Sequence, residues 1–172
     1  IDIMSRMGVT TVEGKSGYGL DKETELKQLE VMKAINGKPN RKVDIATTFL
    51  GAHAVPTEYK GREEEYIDFL IEEMLPIVKE RGLAEHCDIF CEKGVFTVEQ
   101  SRRLLQAAKD MGFGVKIHAD EIVSFGGAEL AGELQALSAD HLLHASDAGI
   151  QAMAENNVVA TLLPLTAFTL RE

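Results

Sequence analysis

Three side chains at the end of one short apolar run can bind a metal ion or move protons: His118, Asp120 and Glu121, in the stretch Gly114-Val115-Lys116-Ile117-His118-Ala119-Asp120-Glu121. A neutral imidazole ligates zinc or iron, and a carboxylate a few residues further on can take a proton from water. Val115 and Ile117 suit a buried parallel strand, and Gly112 and Gly114 punctuate the turn that leads into it. The polar cluster then falls at the C-terminal end of the strand, where barrels of alternating strands and helices carry their active sites. Two more histidines follow apolar runs in the same way, His53 in Gly51-Ala52-His53-Ala54-Val55-Pro56 and His141 in Ala139-Asp140-His141-Leu142-Leu143. A single histidine so placed is more often a hydrogen-bonded structural residue, so the chemistry depends on several stretches converging.

A glycine-rich loop, Gly14-Lys15-Ser16-Gly17-Tyr18-Gly19-Leu20, follows the β-branched run Val9–Glu13. It lacks P-loop spacing, and Gly17 and Gly19 are expected to bend the backbone so that Tyr18 points into a pocket.

The elements that must hold these residues alternate in period. Strands are expected over Val9–Glu13, Lys42–Leu50, Cys87–Glu92, Val115–Ala119, Ala139–Leu143 and Val158–Pro164. Helices are expected from an Asp21 cap to the stop at Asn36-Gly37-Lys38-Pro39, over Arg62–Arg81, from a Thr97 cap over Val98–Met111, over Ala128–Leu137 and over Asp147–Glu155. Ile1–Gly8 has the character of a final helical turn closed by glycine, which suggests that sequence precedes it. Six strands joined by helices call for parallel pairing with right-handed crossovers. Polar residues recur at nearly every strand end: Glu13 with Lys15, His53, Glu92, His118 with Glu121, His141, and Thr166. That recurrence favours a (β/α)8 TIM-type barrel over an open sheet with one switch point, here with about six β/α units where a full barrel has eight.

Composition narrows the function classes. The chain has 172 residues, 45% hydrophobic and 27% charged, as expected for one globular unit. A net charge of −10 without a Lys/Arg patch argues against nucleic acid. No apolar run is long enough to span a bilayer and no secretory signal is visible, so no membrane partner and a cytoplasmic location are expected. Cys87 and Cys91 fall on one face of a strand and are expected to be reduced core thiols.

Four motifs in order resemble the imidazolonepropionase family of the metal-dependent amidohydrolase superfamily: Thr10–Leu20, Thr48–Pro56, Lys116–Glu121 and Ser138–Leu142. The resemblance implies hydrolysis of the ring amide C–N bond of 4-imidazolone-5-propanoate by a metal-activated water, giving N-formimidoyl-L-glutamate in histidine catabolism. It implies His118 as a metal ligand for one zinc or iron, and Glu121 as a catalytic group that also contacts substrate. It further implies His141 as a catalytic group close to the attacking water and the developing oxyanion, and Tyr18 and His53 as substrate-binding residues. On this likeness residues 1–172 correspond to strands two to seven of the barrel. The first and eighth strands, the flanking β-sandwich, a His-x-His pair, an aspartate ligand and a substrate-gripping arginine would lie outside them. The 172 residues alone are then expected to be inactive, and the full-length enzyme is expected to be a homodimer acting on a small molecule. Leu165 departs from a glycine found in many relatives.

Two other readings compete. Lys15 or Lys116 could be the nucleophile of a Schiff-base lyase on the same barrel, since Lys116 shares the face of His118 by strand alternation. Alternatively, a six-stranded sheet with two open edges could serve as a non-catalytic interaction module.

Overall fold

A computed structural model describes residues 1–171, and in it six strands form one parallel sheet in sequence order. They are β1 (Thr11–Lys15), β2 (Asp44–Ala52), β3 (His86–Cys91), β4 (Gly114–Ala119), β5 (Ser138–His141) and β6 (Val159–Thr161). The helices are α1 (Asp2–Arg6), α2 (Lys22–Asn36), α3 (Glu63–Phe69), α4 (Leu75–Glu80), α5 (Val98–Asp110), α6 (Gly127–Glu133), α7 (Asp147–Glu155) and α8 (Pro164–Leu170).

Capping fixes several starts. The Asp21 carboxylate accepts from Thr24 N to open α2, and Thr97 with Gln100 forms a reciprocal capping box on α5. The expected helix over Arg62–Arg81 is one helical run interrupted by a π-helical turn, Leu70–Met74. Pro76 explains the interruption. Its ring would clash with the carbonyl four residues back, Glu72, and a π turn widens the helix just there.

Strand alternation sorts the sheet into two faces. Phe49, Cys87, Ile89, Val115, Ile117 and Ala139 face the helices and are buried with Leu29, Leu70, Met74, Leu104, Leu105 and Leu130 in one apolar cluster. Burying each large side chain contributes about 1.5–3 kcal/mol. Close helix approach also depends on small residues: a Cβ at Gly132 in α6 would lie 2.7 Å from Ala152 of α7. Both cysteines are buried free thiols on this face, and burial pushes Cys91 up to about 11.

The opposite face is concave and ionic. Lys15 on β1 donates to Asp88 on β3 at 2.7 Å and to Asp140 on β5 at 2.6 Å. In a flat sheet β1 and β5 would lie four spacings apart, roughly 19 Å, which exceeds the reach of a lysine. The sheet therefore curls as the wall of a barrel does, and six consecutive β/α units form an incomplete (β/α)8-type barrel.

Some boundaries differ from the sequence reading. The first strand begins and ends two residues later than Val9–Glu13, placing Gly14 and Lys15 inside it. The last strand is only Val159–Thr161, because Pro164 starts α8 at its first position, where a missing N–H is harmless. Thr166 consequently lies within α8 and not at a strand end. Along this edge Val159, Leu162, Leu165 and Phe168 are exposed. Among the described residues no helix is long and apolar enough to cross a membrane.

Candidate functional site

The site lies where the concave face meets the strand C-termini. Its centre is His118, near the end of β4, whose Nδ1 lies 3.1 Å from both carboxylate oxygens of Asp88. Asp88 is fully buried and also accepts Ile89 N and the Lys15 ammonium. Burial would raise its pKa, but His118 and Lys15 outweigh that and hold the carboxyl well below its usual range. An ionised carboxylate can only accept, so His118 Nδ1 is the donor and its proton is fixed there. Burial opposes a charge on His118, yet the Asp88 carboxylate beside it raises its pKa overall. Lys15 is likewise raised, because Asp88 and Asp140 together overcome its desolvation.

Glu121 and His141 stand beside His118. The rings of His118 and His141 are 5.2 Å apart, and His141 Nδ1 lies 3.1 Å from Glu121 Oε1. His141 reaches this position through an unusual backbone. By alternation it follows Ala139, on the helix-facing side, but φ of 76° at His141 and 62° at Leu142 turns the chain so that the ring meets His118. Burial raises the Glu121 pKa and lowers that of His141, bringing two groups in contact toward each other.

Two buried carboxylates hold the segment carrying Glu121. Asp120, with φ of 51°, accepts Phe125 N, Gly126 N and Gly127 N on one oxygen and Ala128 N on the other. Glu92 accepts Ile122 N. The sequence grouped Asp120 with His118 and Glu121 as a group able to bind metal or move protons. The structure assigns it to the backbone of the following loop, as the short polar side chain of a left-handed residue often does.

Tyr18 and His53 extend the rim. Their rings are 4.6 Å apart, and His53 is 5.9 Å from His118. Tyr18 is 77% exposed, so it stands over the rim instead of pointing into a closed pocket. The glycines of its loop do not cradle an anion, because Gly17 N and Gly19 N both donate to Glu25, buried in α2. Gly17 has φ of 116°, and a Cβ there would lie 2.6 Å from Leu50 O. Burial and the neighbouring His118 lower the His53 pKa, and its buried Nδ1 has no partner among the described residues.

The structure thus brings His118, Glu121, His141, His53 and Tyr18 to one rim. Sequence reasoning missed Asp88 and Asp140. With His118 they place possible ligand atoms within 4.8 Å of one another, but Lys15 already occupies the space between the two carboxylates. Their signal was parity: Asp140 pairs directly with His118, and Asp88 lies two residues before Phe90, which also pairs with His118. A second ionic group lies deeper, where Glu13 meets Lys116 at 3.0 Å and Thr48 donates to it. Lys15, fixed as an ammonium between two carboxylates, is unsuited to Schiff-base chemistry, which needs a neutral amine.

No family model matches the chain. The incomplete barrel resembles a Xaa-Pro dipeptidase structure with bound methionine in the active site, with a TM-score of 0.63 at 19% identity over 92% of this chain and 43% of that one. It resembles phenylurea hydrolase B with a TM-score of 0.52 at 13% identity, over 90% of this chain and 42% of that one. Sequence relatives are far nearer. The chain is 78% identical to the imidazolonepropionase of Phocaeicola vulgatus over 172 residues, all of this chain and 42% of that protein. It is 73% identical to that of Bacteroides thetaiotaomicron over 98% of this chain and 40% of that protein. With the imidazolonepropionase of Clostridium tetani the identity is 64% over the whole chain and 41% of that protein. The chain therefore spans about two fifths of the curated relatives it matches, and over that span its sequence belongs to the imidazolonepropionase family.

Proposed function

We propose that the protein carrying this chain hydrolyses the ring amide C–N bond of 4-imidazolone-5-propanoate to N-formimidoyl-L-glutamate. The observation that carries the proposal is the contact of Glu121 with His141 beside a histidine whose Nδ1 is committed to a buried carboxylate. That commitment fits a metal, since ligating histidines characteristically donate their other ring N–H to a carboxylate. His118 would hold the ion, zinc or iron, through the ring nitrogen left free by Asp88, together with ligands outside these residues. When bound, the ion supplies Lewis acidity that polarises the ring carbonyl and lowers the pKa of water.

The residues of the chain do the rest. Glu121, with its raised pKa, takes a proton from the attacking water and returns it to the leaving ring nitrogen. While ionised, Glu121 accepts from His141 Nδ1, which holds that imidazole beside His118, close to the attacking water and the developing oxyanion. Tyr18 and His53 orient the imidazolone ring and its carboxylate arm, and Glu121 also contacts the substrate.

Residues 1–172 act in this reading as strands two to seven of an amidohydrolase barrel. The first and eighth strands and a flanking β-sandwich complete it, and the 172 residues alone are inactive. The complete enzyme is a cytoplasmic homodimer. Loss of imidazolonepropionate absorbance is the assay: activity should vanish on chelation and return with zinc or iron. Full turnover in the metal-stripped protein would refute the mechanism.

A further inference from the structure

We propose that Asp88 is a positioning residue for His118, holding a proton on Nδ1 so that the neutral ring presents Nε2 for ligation, while Lys15 bridges Asp88 and Asp140 without contacting the ligand. The inference rests on the reading of His118 as a metal ligand, although its central claim concerns only where one proton sits.

Three observations support it. Asp88 is fully buried, out of reach of bulk solvent, and removing its acceptor would leave the imidazole free to switch tautomer. Both Asp88 oxygens lie 3.1 Å from His118 Nδ1, which tolerates small shifts of the ring about its axis. Each oxygen also has a second donor, Ile89 N on Oδ1 at 2.7 Å and Lys15 on Oδ2 at 2.7 Å. The carboxylate is thereby clamped on both sides and cannot rotate away from the histidine. Lys15 shares its remaining contacts with Asp140 at 2.6 Å and Glu13 at 3.7 Å, and no hydrogen bond joins it to His118. Its ammonium occupies the space between Asp88 and Asp140, so a metal ion reaches His118 from the Nε2 side.

The test uses the protein carrying this chain, labelled with 15N at histidine, with the His118 signals assigned by their loss in His118→Gln. In zinc-free wild type the proton should be on Nδ1. Asp88→Asn should move it to Nε2 in at least part of the population and weaken zinc binding about 10–100-fold. The charge-balanced Lys15→Met/Asp140→Asn variant retains Asp88 and should keep both the Nδ1 proton and the zinc affinity. A neutral wild-type imidazole with its proton on Nε2 would overturn the inference without any variant. So would unchanged tautomer and affinity in Asp88→Asn, or tighter zinc binding in Lys15→Met, which would make the acidic pair itself the ligand cage. If His118→Gln binds zinc as wild type does, the ligand reading fails, whereas the tautomer comparison still reports on Asp88.

Discussion

The two faces of this sheet come from the same strands and do opposite work. On the helix side the alternation presents mainly apolar side chains, such as Phe49, Ile89 and Ile117, and the contacts are interchangeable in kind. On the concave side the same strands present Glu13, Lys15, Asp88, Lys116, His118 and Asp140, and each partner is specific. A parallel barrel more commonly fills that interior with branched aliphatic layers. The contrast teaches that stability and chemistry are divided by residue parity along the strand. Substitutions one position apart should therefore have different consequences.

The largest expected effect tests the chemistry at the rim. Glu121→Gln should lower kcat by about 10²–10⁴-fold, with the melting temperature nearly unchanged; a normal kcat would remove Glu121 from proton transfer. Next, Phe49→Ala on the helix side should cost about 3–5 kcal/mol in denaturant unfolding. It should leave the zinc affinity intact, and a matching loss of affinity would show that the faces are not independent. Lys15→Met should cost about 3 kcal/mol by leaving two buried carboxylates confronted. Much of that loss should return when Asp140→Asn is added.

A smaller effect comes from pH. Asp88 and Glu13 have folded pKa values below their unfolded ones, so the folded state binds fewer protons than the unfolded chain as those groups titrate. Their contribution is full above about pH 4 and lost as pH falls through the folded values. Lys15 is raised, so its contribution is full below its unfolded pKa and lost only in strong alkali. Stability measured by denaturant melts should fall below about pH 4, and less steeply in Lys15→Met/Asp140→Asn. The smallest change in stability belongs to the exposed rim: Tyr18→Ala should alter unfolding by no more than about 0.5 kcal/mol while raising KM.

The helix-facing half of this division was legible in the sequence because it depends on local rules. Asp21 and Thr97 announced their helices by side-chain type, and the apolar run through Val115 and Ile117 announced its strand. His118, Glu121 and His141 were legible as strand-end polar residues. The concave half was not, because its partners are distant in the chain: Lys15 and Asp88 are 73 residues apart, and Lys15 and Asp140 are 125 apart. An aspartate inside a strand has no local signature that distinguishes an interior ion pair from a solvated edge. The π turn before Pro76 was hidden differently, since the apolar stripe continues through it and only the proline marks the break. His141 required a left-handed backbone that strand alternation does not anticipate.

The Lys15 ammonium has one last consequence. Strung from β1 to β5, it acts on the arc as a string acts on a bow, drawing the ends together from within. Because it joins residues so remote in the chain, this tension can be applied only after the intervening strands have assembled. The radius of the wall follows from strand number and stagger, and the ammonium ties two distant points of that arc once they have come together.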